Sequence, residues 1–181
     1  MFFKRESRSS YLYLMAKPPV VLAGTMAALP RARDYDAARL HMTLARLGPA
    51  RDLPSAVLPW LTGMLGRIEI PSFRVVFDRI AEGERVVALT GTETMRGAVR
   101  AQRSLMRTLS AKGVPAFGPD PFQPHVTIRY RADGLGTEAI DPISWRVEEF
   151  MLVESVSGEG RHVEHGRWPL HRPAPAFSAS E

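Results

Sequence analysis

The sequence predicts an α+β protein of two similar lobes with a cleft between them. A pattern of histidine, apolar residue, threonine and apolar residue occurs twice, at residues 41–44 and 125–128. The two copies lie 84 residues apart, which is about half of the 181-residue chain. Each copy follows a helical stretch and a loop, and each half of the chain carries further strands. The halves share no other obvious repeat, so the duplication is visible only in the motifs.

Strands are predicted where apolar and polar residues alternate or aromatic residues cluster, and helices where apolar residues recur at helical spacing. In order, the predicted elements are a strand at 11–15, a helix at 20–29, the first motif strand at 40–47, a helix that runs to 65, two extended segments within 68–80, a strand at 85–89, a helix at 93–112, the second motif strand at 125–130, and a closing hairpin of 145–154 and 161–168.

Cap and turn residues mark the element boundaries. A proline pair precedes the first helix, and Asp52 or Ser55 is a candidate cap of the second. Gly66 and Gly113 are expected to end the second and third helices. Residues 30–36 predict a surface loop, and 114–124 and 132–142 predict further loops. The third helix is expected to bury a stripe formed by Met95, Val99, Leu105, Met106 and Leu109.

The two ends of the chain have the composition of disordered segments. Residues 1–10 predict a leader and residues 172–181 a tail, which leaves 11–171 as a single two-lobed domain. No apolar run approaches the length of a membrane span, and the N-terminal segment has no long apolar stretch typical of a secretory signal. We therefore expect no membrane partner and a cytoplasmic location.

Composition narrows the chemistry. The absence of cysteine excludes disulfides, a thiolate nucleophile and cysteine-based metal sites. The net charge of +5 and the pI of about 10.1 favour an anionic partner such as nucleic acid. The excess of arginine over lysine suits phosphate recognition, although codon bias would produce the same excess.

Each motif pairs an imidazole with a hydroxyl. On a strand, His41 and Thr43 would point to one face, about 7 Å apart, and His125 and Thr127 would do the same. One histidine can act as base while the other acts as acid, and the threonines can donate hydrogen bonds to phosphate oxygens where charge develops. This arrangement requires no metal and no other cofactor. One copy alone would more often be structural, but two copies in a chain with five histidines predict a catalytic site.

The residues around the motifs resemble a known family. Leu40-His41-Met42-Thr43-Leu44-Ala45-Arg46-Leu47-Gly48 and Pro121-Phe122-Gln123-Pro124-His125-Val126-Thr127-Ile128 are similar to the two signatures of the 2H phosphoesterase superfamily. The similarity is greatest to its RNA 2′,3′-cyclic phosphodiesterases, also called 2′-5′ RNA ligases or the LigT family. Lys17-Pro18-Pro19 and the final strands extend the resemblance over residues 11–171.

The resemblance implies a fold, a reaction and a set of catalytic residues. The fold is two pseudo-symmetric lobes whose antiparallel sheets line a basic central cleft. The reaction is hydrolysis of an RNA 2′,3′-cyclic phosphate end to a 2′-phosphate, so the implied partner is RNA with that end. We also expect nucleotides as a second class of partner, and a monomeric protein. The implied catalytic residues are His41, Thr43, His125 and Thr127. We assign His125 as the base that activates water and His41 as the acid that protonates the leaving oxygen.

The sequence departs from the family pattern beside each motif. Many relatives carry arginine five residues after the second histidine, where this chain has Tyr130, flanked by Arg129 and Arg131. Strand alternation would place Arg129 on the face of His125, where it could contact phosphate. Five residues after the first histidine, relatives often have an aromatic residue, and this chain has Arg46. We therefore predict that these four residues bind substrate, with a base stacked on arginine or tyrosine.

Two other clusters have competing interpretations. His162, His165 and His171 suggest a metal site, but no third ligand is obvious and an exposed strand is favoured. Arg96, Arg100, Arg103 and Arg107 recur at helical spacing. A solvated helix face is the favoured interpretation, and a track for an RNA backbone is the alternative.

Three other functions remain open at this point. One is 2′-5′ ligation of RNA, which is related to cleavage by reversibility. Another is cleavage of a small cyclic nucleotide phosphate by the same residues. The third is a non-catalytic RNA-binding module, against which the complete set of two histidines and two threonines argues, because binding alone needs no paired proton donors and acceptors.

Overall fold

A computed structural model describes residues 10–33, 35–50, 54, 56–130, 134, 136–156 and 160–171. Within these residues the chain forms eight strands and three α-helices, which are β1 (Ser10–Ala16), α1 (Val20–Ala27), β2 (Met42–Pro49), α2 (Val57–Leu65), β3 (Phe73–Glu82), β4 (Val86–Thr90), α3 (Arg96–Ala111), β5 (Val126–Tyr130), β6 (Glu138–Val147), β7 (Glu149–Val156) and β8 (Arg161–Pro169).

The strands form two four-stranded antiparallel sheets, one for each lobe. The first sheet has the order β2-β1-β7-β8, and the second has the order β5-β4-β3-β6. The motif strands β2 and β5 each form one edge of their sheet, and they contact one another. The predicted α+β architecture of two similar lobes is confirmed, and it brings the two motifs together.

The strand predicted at 145–154 is in fact two strands in different sheets. β6 pairs with β3 in the second sheet, whereas β7 pairs with β1 in the first, and the chain crosses between the lobes at Glu148. The apolar residues on both sides of Glu148 concealed this crossing. The loop predicted at 132–142 is likewise too long, because β6 begins at Glu138. Its polar first half and Pro142 are tolerated because β6 is an edge strand.

The third helix begins later than predicted and buries the predicted stripe in part, since Met95, Leu105 and Leu109 are buried. In the segment before the helix, the backbone N–H and hydroxyl of Thr92 both donate to the carboxylate of Asp78 in β3, at 2.8 and 3.0 Å. Val99 and Met106, which the prediction placed in the buried stripe, are only half-buried. The helix residues that are buried are Ala98, Ala101, Gln102, Leu105 and Leu109. Gly113 follows the helix with φ of +70°, as expected of a glycine at its end.

The predicted surface loop at 30–36 is partly internal. Ala32 is fully buried, and Arg31 forms an ion pair of 2.9 Å with Glu82 at the end of β3. The side chains of Arg31 and Glu82 are only 11% and 3% exposed. This pair therefore fastens the segment after α1 to the sheet of the other lobe.

The other predicted elements are present with shifted ends, since α1 stops at Ala27, β2 begins at Met42 and β5 begins at Val126. The hairpin of β3 and β4 pairs as expected, with Ile80 opposite Leu89. Asp52 and Ser55, the candidate caps of α2, lie outside the described residues, and so do 1–9 and 172–181. Ser10, which was predicted to end the leader, begins β1. One hydrophobic core includes side chains from both sheets. Among the described residues, no helix is long and apolar enough to cross a membrane.

Candidate active site

His41 and His125 each lie one residue before a motif strand and are held in the same way. The Nδ1 atom of His41 is 2.6 Å from the carbonyl oxygen of Arg39, and that of His125 is 2.9 Å from the carbonyl oxygen of Gln123. A carbonyl oxygen can only accept, so Nδ1 must carry the hydrogen in both rings. The Nε2 atoms are therefore the ones left to exchange protons with a substrate.

Thr43 and Thr127 are the second residues of β2 and β5. Both are partly exposed, and neither hydroxyl makes a hydrogen bond to the described part of the chain. These hydroxyls are available to donate to a bound group. In addition to burial, the charge of His125 lowers the pKa of His41, as expected for imidazoles on two strands that contact each other.

A β-bulge follows the threonine of the first motif. Thr43 lies opposite Met15 of β1, and Ala45 lies opposite Leu14, so Leu44 is the extra residue. A bulge shifts the alternation of side chains between the two faces by one position. Residues beyond the bulge therefore point to the faces opposite to those that simple alternation predicts.

A second bulge occupies the same position in the other motif. Thr127 lies opposite Ala88 of β4, and Arg129 lies opposite Val87, so Ile128 is the extra residue. The two motif strands thus repeat a local backbone irregularity as well as a sequence pattern. Neither bulge is visible in the sequence, because the fourth residue of each motif is simply apolar.

The bulges decide which neighbouring side chains reach the cleft. Arg46 lies opposite Tyr13, two residues from the partner of Thr43, so Arg46 and Thr43 share a face. By the same reasoning Tyr130, opposite Val86, shares a face with Thr127. Tyr130 is 53% exposed. The position five residues after each histidine therefore faces the cleft.

The predicted placement of Arg129 on the face of His125 is wrong. Its partner Val87 is fully buried, and Arg129 itself is only 8% exposed. Unbroken alternation was the basis of that placement, and the bulge at Ile128 removes it. Arg131 lies outside the described residues. Of the four predicted substrate-binding residues, the structure brings Arg46 and Tyr130 to the cleft.

Aromatic and arginine side chains surround these two positions. The guanidinium of Arg46 lies 5.9 Å from the ring centre of Tyr11 and 5.5 Å from that of Phe117. Phe117 is 52% exposed, and its backbone pairs with that of Arg46 through two hydrogen bonds. Phe117 carries no signal in the sequence, because it lies in a loop and joins β2 only through this isolated bridge.

A similar group surrounds Tyr130. Its ring centre is 6.0 Å from that of Tyr35, over which the guanidinium of Arg39 lies at 5.1 Å. Burial raises the pKa of the Tyr35 hydroxyl, which therefore stays protonated at neutral pH. Tyr35 was also missed, because the segment at 30–36 was predicted to be a surface loop, and Arg39 was missed because it lies between that loop and the first motif strand.

His162 contacts His41 directly. The two rings meet edge to face with centres 5.2 Å apart, and His162 Nδ1 is buried without a hydrogen bond to any described residue. Burial lowers the pKa of His162 to about 4, and the charges of His41, Lys17 and Arg39 act in the same direction. His162 is therefore neutral near pH 7. It is half-buried against a catalytic candidate, which the expectation of an exposed strand did not anticipate.

The electrostatics at His41 favour its neutral form. Burial is the main cause of its lowered pKa, and the charges of Lys17, His125 and Arg39 lower the pKa further, against the opposing effect of the bond to the Arg39 carbonyl. Lys17 is held close by a hydrogen bond of 2.9 Å from Nζ to the carbonyl of Ala38. These cations make the surroundings of His41 favourable for an anion.

The other histidines of the suggested metal cluster are used elsewhere. His165 is 3.0 Å from the Glu154 carboxylate, and His171 pairs through its backbone with the segment at Ile70–Ser72. Within the described ranges, no group of three histidine, aspartate or glutamate side chains could hold a metal ion. The cleft combines the Nε2 atoms of two imidazoles with the hydroxyls of the two motif threonines. Its cations are Lys17, Arg39 and Arg46, and its aromatic rings are Tyr11, Tyr35, Phe117 and Tyr130.

Comparison with known proteins gives one family and one fold. The model of the 2′-5′ RNA ligase superfamily matches residues 18–159. No curated protein matches the chain in sequence. The crystal structure of E. coli LigT complexed with 3′-AMP superimposes with a TM-score of 0.69 and 27% sequence identity, over 91% of this chain and 99% of that one.

Two further solved structures have the same fold. E. coli LigT complexed with phosphate has a TM-score of 0.66 and 25% identity, over 92% of this chain and 100% of that one. The protein TT0787 of Thermus thermophilus has a TM-score of 0.62 and 22% identity, over 91% and 100% of the two chains. At this lower identity the likeness to TT0787 shows the fold alone.

Proposed function

Because the chain belongs to the 2′-5′ RNA ligase superfamily, a group of 2H phosphoesterases, we propose that it hydrolyses RNA 2′,3′-cyclic phosphate ends to 2′-phosphates. The observation that carries the proposal is the identical anchoring of His41 and His125 through Nδ1, which leaves two Nε2 atoms for proton transfer. A pure binding site has no need of two imidazoles held in one tautomer beside two available hydroxyls.

The proposed reaction is an attack of water on the cyclic phosphorus. His125 Nε2 removes a proton from the water as its oxygen bonds to phosphorus. The bond from phosphorus to the 3′ oxygen breaks, and His41 Nε2–H gives its proton to that oxygen. Thr43 and Thr127 donate hydrogen bonds to the non-bridging oxygens, where negative charge increases. The products are a 2′-phosphate and a free 3′ hydroxyl.

The protonation state of His41 constrains this assignment. Its lowered pKa makes the free protein's His41 mostly neutral near pH 7, whereas an acid must be protonated. The negative charge of a bound phosphate raises the pKa of a neighbouring imidazole, so we propose that His41 takes up its proton as substrate binds. The reverse assignment, with His41 as base, needs no such uptake, and the two differ in their pH profiles.

Substrate contacts are proposed for the groups around the motifs. Arg46 supplies a cation, and Tyr130 offers a hydroxyl where many relatives have arginine. The exposed ring of Phe117 offers a surface on which a base can stack. E. coli LigT has been crystallised with 3′-AMP and with phosphate, which supports a nucleotide phosphate as the ligand of the shared fold.

Ligation is the second candidate, favoured by the family that the chain matches. Joining RNA through a 2′-5′ bond uses the same two proton transfers, with an RNA hydroxyl in place of water. Hydrolysis and ligation therefore need the same side chains. Incubation with RNA halves, one ending in a cyclic phosphate and one starting with a 5′ hydroxyl, separates the two reactions by product length.

The test is hydrolysis of a short RNA with a 2′,3′-cyclic phosphate end in the presence of EDTA. Wild type should form product, while His41→Ala and His125→Ala should not, and both variants should unfold at the temperature of wild type. Turnover by either variant at the wild-type rate would overturn the assignment of the two histidines. Tight RNA binding without turnover by wild type would favour the binding module.

A further inference from the structure

A large groove lies beside α3, apart from the candidate active site. It has a volume of about 1070 Å³ and is lined by one face of α3, by residues 70–74 at the start of β3, by Arg146 of β6 and by the loop residues 118–120 and 122. Neither motif histidine lines it. The groove therefore needs an explanation of its own.

Five arginines from three elements line this groove, which we call the arginine groove. Three lie on α3, and they are Arg100, Arg103 and Arg107. Arg74 of β3 and Arg146 of β6 complete the set, and Asp120 is the one carboxylate in the lining. Arg96, the fourth arginine of the predicted helical ridge, is not part of the lining.

These cations have no anionic partner in the described part of the chain. Arg74 donates to the hydroxyl of Ser144 at 3.0 Å, and Arg146 donates to that of Ser72 at 3.2 Å. No ion pair with a described residue involves any of the five arginines. The groove lining therefore carries an excess of positive charge, with Asp120 as its one carboxylate and no ion pair among the described residues.

Repulsion between the arginines lowers the stability of the folded chain at two separate places. Arg74 and Arg146 lie directly opposite each other on paired strands, where like charges are destabilising. The arginines of α3 follow at spacings of three and four residues, where like charges also repel. A solvated helix face explains the helical arginines alone. It does not explain why a second like-charge pair from the sheet converges on the same groove.

The loop that forms one wall of the groove also leads to the active site. Phe117 is bonded to Arg46, residues 118–120 and 122 line the groove, and the carbonyl of Gln123 anchors His125. Gln102 of α3 lines the groove as well. It is 5% exposed, and its amide nitrogen lies close to Gly118 in the opposite wall. The groove thus offers an amide donor in addition to its cations.

From this geometry we propose that the arginine groove binds the phosphodiester backbone of single-stranded RNA upstream of the reacting end. Cations spread over a helix and two strands suit several phosphates in a row better than a single small anion. The proposal rests on the proposed function for the identity of the polymer, since the reacting end would occupy the cleft. It gives long RNA an advantage over a mononucleotide.

The test compares the triple variant Arg100→Gln/Arg103→Gln/Arg107→Gln with wild type on two ligands. One is a single-stranded RNA dodecamer, used with a 3′-phosphate for binding and with a 2′,3′-cyclic phosphate for turnover. The other is a 2′,3′-cyclic mononucleotide. The matched control is the triple lysine variant, which keeps the charges, and Arg85→Gln controls for loss of charge in an exposed turn.

The expected result is a loss confined to the dodecamer. Removing three phosphate contacts should reduce the slope of log Kd against log salt by about 2, since each contact to a single strand contributes about 0.7. Raising the salt from about 50 to 200 mM should therefore weaken wild type about 16-fold more than the triple glutamine variant. The lysine and Arg85 controls should keep the wild-type slope, and turnover of the mononucleotide should stay within about twofold.

Two results would overturn the proposal. One is unchanged dodecamer binding and salt slope in the glutamine variant. The other is an equal loss for mononucleotide and dodecamer, since this would make the arginines part of the cleft. If no ligand is hydrolysed, even by wild type, the proposed function fails, while dodecamer binding still decides whether the groove binds RNA.

Discussion

The buried ion pair between Arg31 and Glu82 gives a sharp test of how the lobes are held together. Glu82→Gln keeps the shape of the side chain but leaves Arg31, 11% exposed, without its closest carboxylate at 2.9 Å. Breaking a buried pair by removing one partner costs about 3–5 kcal/mol. For a chain of this size each kcal/mol lowers Tm by about 2–4 °C, so the variant should melt roughly 6–20 °C below wild type.

The same arginine provides the matched control. Glu138 lies 3.6 Å from Arg31, but its side chain is 58% exposed, so Glu138→Gln should cost no more than about 1 kcal/mol. Urea unfolding of both variants, followed by circular dichroism, measures the two free energies. Equal losses in the two variants would refute the reasoning, since burial would then not decide the strength of the pair.

Three further predictions concern the cleft. Replacing Thr43 or Thr127 by valine should lower kcat about 100-fold with little change in Tm, because the variant loses a donor to a developing negative charge. An unchanged kcat would remove the threonines from the mechanism. His162→Ala should hydrate His41 and raise its lowered pKa toward its ordinary value, which moves the limb of the kcat/KM profile that His41 controls to higher pH. If His41 is the acid, activity then persists to higher pH, and if it is the base, activity begins at higher pH. The control variant His165→Ala should leave the profile unmoved. An unmoved profile in His162→Ala would contradict the contact between His162 and His41. Tyr130→Arg should lower KM for a phosphate-ended substrate about tenfold by adding a charged donor, and an unchanged KM would place position 130 outside the substrate site.

The motif spacing and the local periodicity were enough to predict the two-lobed architecture. Each motif histidine was expected within a strand, because the pattern of His125-Val126-Thr127-Ile128 has strand periodicity, and each lies one residue before its strand. The crossing at Glu148 could not be predicted, since residues typical of strands continue on both sides of it without a turn signal. Which sheet a strand joins is decided by pairing with residues far away in the chain.

The surroundings of the motifs were predicted less well, for a physical reason. A bulge depends on how a strand pairs with its neighbour, so the residues at Leu44 and Ile128 carry no mark of it. The face predicted for Arg129 was therefore wrong. The contact of His162 with His41 likewise depends on the position of β8 in the first sheet, which periodicity does not specify.

The most direct test of the proposed reaction is phosphorus NMR of the product formed from a 2′,3′-cyclic phosphate RNA in water enriched in oxygen-18. The account predicts a single 2′-phosphate product that carries one heavy oxygen on phosphorus in wild type, and no product with His41→Ala or His125→Ala. A 3′-phosphate product, or a 2′-phosphate without the heavy oxygen, would contradict the attack of water with the 3′ oxygen as leaving group.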